Sequence, residues 1–215
     1  APYYATGSTL QYNSGGTYDR VIEWNNNSGR GNPYNVTVSN NTTLNYPNGA
    51  NFARTIAGDL TIDAGSSFYM DYGSTGMSNP LTVTGNVTAN GNLSLGDAFG
   101  GDLILSGNWT RGAGTFSPNN REVEFNGTAL QTLTGATTFD YLKINNNGNI
   151  VQLASAINID DRLWLNNGAF NPNGNTVTMS SASLVRRSAA AATMTQSPTA
   201  ATGNSFDMQY DAGMT

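Results

Sequence analysis

The chain has 215 residues, of which 38% are hydrophobic and 11% charged, with a formal net charge of −5. One lysine (Lys143) and no histidine or cysteine leave no basic stripe for nucleic acid, no disulfide framework and no thiolate or imidazole metal site. Its apolar runs fall far short of the ~20 residues of a membrane-spanning helix.

Asn, Thr, Gly and Ser together make up nearly half of the chain. Disordered chains are polar too, but they are charge-rich and poor in apolar β-formers. Here the apolar residues sit in short alternating runs between Asn/Gly turns, which predicts an all-β protein. Residues 1–33, with Tyr3, Tyr4, Tyr12 and Trp24, read as an irregular lead-in coil. From residue 34 to 179 the alternation recurs: YNVTVSNNTTL at Tyr34, PLTVTG at Pro80, GDLILSGNWT at Gly101, REVEFNG at Arg121, FDYLKINNNGNIVQL at Phe139, INIDDRLWLNNG at Ile157 and NTVTMS at Asn175. Alternate side chains of a strand face opposite ways. The inward set is therefore Val36 and Val38, Leu60 and Ile62, Leu81 and Val83, Leu103 and Leu105, Val123 and Phe125, Leu142 and Ile144, Leu163 and Leu165, Val177 and Met179. Residues 180–215 read as a loop that returns to the same array with FDMQY and continues in a longer protein. An opening APYY without Met fits a processed form or an excised piece.

One phrase is repeated. GDLTIDAG begins at Gly58, GNVTANGN at Gly85 and GNWTRGAG at Gly107. Self-similarity at that spacing indicates a solenoid or a propeller, and propeller blades need ~40 residues and a recurrent aromatic signature. The expected fold is a parallel β-helix (β-solenoid) with coils of roughly 20–27 residues. Asn145–Asn147 and Asn166–Asn167 are expected at corners, bonding the next coil through their amides. The alternative, a β-sandwich, predicts antiparallel hairpins instead. Neither end carries an evident polar cap, so end-on stacking on a second copy or on other segments of the same protein is expected.

Candidate sites are few. Asp160, Asp161 and Arg162 resemble the acid cluster of a β-helical polysaccharide lyase or hydrolase, but neighbouring strand residues diverge unless a bulge intervenes. Glu122 and Glu124 share an outward face, about 7 Å apart. Arg186 and Arg187 read as surface decoration. Outward threonines such as Thr82 and Thr84 reflect β-propensity, since Ile104, Lys143 and Trp164 interrupt any ice-binding ladder. The sequons at Asn35, Asn86 and Asn108 belong to the turn-to-strand grammar. The preferred contact residues are Trp164, Tyr69 and Tyr72, outward aromatics that suit a glycan or a protein partner. No catalytic residue, metal site or cofactor is expected, and the chain is read as not an enzyme.

GSTLQYNSGGTY, PYNVTVSNNTTL, GDLTIDAGSSFYMD, LTVTGNVTANGNLSL, VEFNGTALQTLTGATTFDYLKINNNGNIVQL and NGAFNPNGNTVTM together cover nearly the whole chain. They resemble the long repetitive, adhesin-like cell-surface proteins of Bacteroidetes exported by the type IX secretion system. The resemblance implies an extracellular, cell-surface location, the secretion machinery as a partner and a structural or adhesive role as a stalk. Other roles expected of such a fold are a polysaccharide lyase or hydrolase and a phage tail-spike or fibre segment.

Overall fold

The computed structural model describes residues 1–25 and 28–211, and the chain divides into two compact units, Ala1–Arg121 and Glu122–Thr215. Each unit is a parallel β-solenoid. Every described strand pairing is parallel, so the sandwich alternative is excluded. In the first unit one stack runs through Thr9–Tyr12, Asn35–Val38, Leu60–Ile62, Val87–Ala89 and Trp109–Arg111. A second contains Thr17–Asp19, Thr43–Asn45, Ser67–Tyr69, Asn92–Ser94 and Phe116–Ser117. A third contains Arg54–Ile56, Leu81–Val83 and Leu103–Leu105. The register pairs Thr9↔Asn35, Val36↔Leu60, Leu60↔Val87 and Val87↔Trp109 each mark one full coil, and the coils are unequal in length.

The second unit repeats the plan with tighter corners. Its long strands Thr137–Leu153 and Ile157–Asn171 run on around the corners and supply more than one face each. On one face Glu122, Tyr141, Arg162, Leu184 and Asp207 lie in register, and the coils between them are mostly shorter than those of the first unit. Another face joins residues 137–139, 157–159, Val177–Met179 and Thr199–Ala200.

Burial follows the parity of the sequence: all sixteen inward residues named above are at most 4% exposed. A single three-residue strand buries only two such side chains, so the dry column exists only because coils stack at ~4.8 Å. Corners are turned by Asn in the left-handed region, as at Asn40 and Asn41 (φ 55° each) and at Asn119 and Asn120 (52° and 56°). Asparagine tolerates that conformation better than most residues.

The repeated phrase has a structural cause. Gly85 N–H donates to Gly58 C=O and Gly107 N–H to Gly85 C=O, each at 2.9 Å. A Cβ on Gly85 would strike the Gly58 backbone, and one on Gly107 would strike that of Gly85. The next position of each phrase forms a side-chain ladder. Asn35 Oδ1 accepts Asp59 N–H (2.8 Å), Asp59 Oδ1 accepts Asn86 N–H (2.7 Å) and Asn86 Oδ1 accepts Asn108 N–H (2.9 Å). The sequon asparagines are thus part of a coil-to-coil ladder.

The start of the first unit is strapped, a feature absent from the sequence reading. The 3-10 turn Ile22–Trp24 directs Trp24 inward, fully buried, with its ring 4.9 Å from that of Tyr46 and 6.1 Å from that of Phe68. Tyr4 Oη donates to Glu23 C=O (2.6 Å), Tyr12 Oη to Glu23 Oε1 (3.0 Å), and Gly31 N–H to Pro2 C=O (2.8 Å). Burial pushes the Tyr46 hydroxyl up from its ordinary 10.0 to about 12.

Two outcomes follow from this packing. Gly85→Ala and Gly107→Ala should each lose about 1–3 kcal/mol in urea unfolding. Gly16→Ala, where an added Cβ meets nothing within 4 Å, should stay within about 0.5 kcal/mol; equal midpoints for all three would refute the close stacking. Because the folded state holds Tyr46 protonated longer than the unfolded chain does, its contribution is complete below pH 10 and is lost as pH rises through about 12. Urea unfolding at stepped pH should therefore decline less steeply above pH 10 in Tyr46→Phe than in the parent.

Candidate functional site

In the first unit, the loops that leave the second stack succeed one another on a single corner, at residues 46–53, 70–80 and 95–102. They are tied together. Asn51 Oδ1 accepts Ser78 N–H (2.8 Å), Asn51 C=O accepts from Asn79 Nδ2 (3.0 Å), and Gly100 and Gly101 lie directly against the Ser78 and Met77 carbonyls. Tyr69 closes the strand Ser67–Tyr69 with its side chain half-buried, and the Tyr72 ring lies 6.4 Å away at 32°. Asp71, between them, turns aside: its Oδ2 accepts from Ser94 Oγ (2.8 Å) and Asn119 Nδ2 (3.0 Å). The neighbouring loops present Phe52, 61% exposed, and Phe99, 91% exposed, the latter with the Arg121 guanidinium 5.7 Å from its ring. Sequence reading missed both phenylalanines. Their signal was an aromatic isolated among small residues in a turn segment, as in GDAFGG.

Trp164 belongs to the second unit. It faces outward in register with Lys143 on one neighbouring coil and Arg186 on the other. Lys143 Nζ and Arg186 Cζ each lie 4.6 Å from its ring centroid, Arg162 Cζ lies at 5.4 Å, and its Nε1–H donates to Ser188 Oγ (2.7 Å). A sugar ring stacking here would have to displace a cation. The ladder continues on both sides. Lys143 bridges Glu124 (2.9 Å) and Glu122 (3.7 Å), Arg186 pairs with Asp211 (2.9 Å), and Arg162 lies 3.9 Å from Glu122. Glu124 Oε1 accepts from Asn145 Nδ2 (2.7 Å), Asn145 Oδ1 from Asn166 Nδ2 (2.8 Å), and Asn166 Oδ1 from Ser188 Oγ (2.7 Å). Of the clustered asparagines, Asn145, Asn146 and Asn166 thus bond from coil to coil through their side chains.

The acid candidates are absorbed by the same scaffold. A register shift between Phe139 and Tyr141, opposite Ile159 and Arg162, inserts a bulge at Asp160–Asp161 and leaves both exposed. They nevertheless part: Asp161 accepts from Tyr141 Oη on the preceding coil and Asp160 from Ser180 Oγ on the following one, each at 2.6 Å. Glu122 and Glu124 share Lys143. Arg187 donates to the Ala190 and Ala192 carbonyls (2.7 Å each). Thr82 stands between Thr55 and Ile104 in its stack, so no threonine rank continues there. Among the described residues no group of three or more acidic side chains is placed to hold a metal ion. No family model, curated protein or solved structure matches the chain.

The ladder is open to a double-mutant cycle. Lys143→Met should lose about 1 kcal/mol, and adding Glu124→Gln should recover part of that loss. Additive effects at low salt would mean that the pair carries no coupling.

Proposed function

We propose that this chain is a structural and adhesive segment of a secreted bacterial cell-surface protein, a β-solenoid stalk that carries weak, multivalent contacts rather than an active site. The observation that carries the reading is the corner of the first unit, where consecutive coils set out Phe52, the Tyr69–Tyr72 pair and Phe99 on loops bonded to one another. Aromatic rings on a rigid support stack on sugar rings at little entropic cost. Repetition along a solenoid turns weak contacts into avidity. Glu122, Glu124, Asp160, Asp161 and Asp211 of the second unit support a non-catalytic role, since each is engaged by a cation, an amide or a hydroxyl. Export by the type IX route and a place on the cell surface rest on the resemblance described above.

Association with a second copy or with further segments of the same protein belongs to this reading. In the last coil Met208 and Tyr210 are half exposed beside a cavity of about 300 Å³ lined by Leu165, Val185, Met194 and Pro198. Such a surface would accept another coil.

A panel of immobilised bacterial and host polysaccharides tests the proposal. Weak retention of the protein is expected, reduced at least fivefold in the Tyr72→Ser/Phe99→Ser variant, with no new reducing ends or unsaturated sugars in the supernatant. Sugar release would establish a lyase or hydrolase instead. Sedimentation as an obligate trimer would favour a tail-spike or fibre, and retention untouched by the double variant would sink the aromatic corner.

A further inference from the structure

Arg54 occupies a position where the fold calls for an aliphatic residue. It is in register with Leu81, and Leu81 with Leu103, and like them it points inward, 1% exposed. Its Nη1 reaches the Phe52 carbonyl at 3.3 Å and its Nη2 the Ala50 carbonyl at 3.2 Å, while its Nε is buried without a partner. Among the described residues no carboxylate forms an ion pair with it. Arg20, 3% exposed, is close enough to feel its charge, and burial and then Arg54 hold the Arg20 guanidinium below its ordinary value. Arg20 itself is satisfied by the carbonyls of Tyr46, Val21, Trp24 and Pro47. The nearby Glu23 carboxylate is committed to Tyr12 Oη and Val21 N–H.

The surroundings of Arg54 supply backbone carbonyls at its Nη atoms but no anion to balance its charge. Its guanidinium carbon lies 5.1 Å from the centroid of the Tyr46 ring, against which Trp24 packs at 4.9 Å. Tyr46 Oη and Trp24 Nε1 are buried without a hydrogen bond of normal geometry, as is Arg54 Nε, and the Tyr46 hydroxyl lies close enough to the Arg54 guanidinium to interact with it. Asn32 Oδ1, likewise buried and unpartnered, bonds none of them. An uncompensated guanidinium in a dry core is costly, and each orphan donor adds to that cost. A water molecule would accept only two of these hydrogen bonds and would leave the charge in place. A species that accepts from all three donors, carries one negative charge and is small enough for a close-packed interior meets both demands.

We propose that the core of the first unit holds a small monovalent inorganic anion of the halide class, bound at the Nε edge of Arg54 with Tyr46 Oη and Trp24 Nε1 as supporting donors. The site makes the anion a structural ligand, buried in the core like an additional side chain, and it is independent of the adhesive role proposed above. Binding to the folded state alone raises stability with the logarithm of anion concentration.

The test compares the whole chain in sodium bromide, sodium chloride and sodium gluconate at matched ionic strength. The melting midpoint should climb by about 3–5 °C per tenfold rise in halide above the dissociation constant, and gluconate, too large for the site, should leave it flat. Arg54→Met should abolish the halide dependence. If that variant does not fold, Trp24→Phe and Tyr46→Phe, which keep the aromatic stack, should each weaken it at least threefold. Crystals soaked in bromide should give an anomalous peak within hydrogen-bonding distance of Arg54 Nε. Absence of that peak, or a halide dependence that survives undiminished in the variants, overturns the proposal.

Discussion

Parallel coils in register place each residue directly over its counterpart one turn away, about 4.8 Å distant. Every column must therefore tolerate its own neighbours. Aliphatic residues do so by sharing a dry interior, as Val36, Leu60 and Val87 share one line of the first unit with Trp109. Asn and Asp do so because a side-chain oxygen in one coil can accept the N–H of the next. Glycine serves where two backbones come too close for a Cβ, as at Gly85 and Gly107. The repeated phrase is thus a consequence of self-stacking.

Charge obeys the same constraint. Two like charges ~5 Å apart would repel by on the order of 3 kcal/mol at an effective dielectric of about 20. The outward column Glu124, Lys143, Trp164, Arg186 changes sign between its first two members and places an aromatic ring between its two cations. Both cations lie against that ring, which converts a repulsive sequence into an attractive one. Charged residues arranged this way hold coils together. Arg54 is the exception, a cation inserted into a column of leucines with no such alternation around it.

Function then depends on what the scaffold leaves unoccupied. Regular stacks consume their polar groups in coil-to-coil bonds, whereas the corner loops vary in length and carry side chains that the ladder does not use. Phe52, Tyr72 and Phe99 lie on such loops, and the same freedom of corner length lets the coils of the first unit differ by several residues. One solenoid can host enzymes, fibres and adhesins, so the chemistry of these corners, rather than the fold, bears on the role of the chain.

Alternation along each short strand was enough to assign faces. Val36 and Val38, Leu142 and Ile144, and the outward Trp164 all follow from a period of two, a local property of extended backbone. The spacing of the glycine-led phrases likewise determined the coil length, because Gly58, Gly85 and Gly107 are one turn apart. Arg54 shares the parity of Ile56, so even its burial was legible, although a cation invites an outward assignment. Which side chains meet across coils was decided only by the tertiary structure. Lys143 and Arg186 reach Trp164 from the coils before and after it, and Trp24 finds Tyr46 through a 3-10 turn that no periodicity marks. The physical reason is that which residues meet across coils depends on how many residues each corner and bulge takes up, such as the extra residue at Asp160–Asp161, and the pattern within a strand does not state that number.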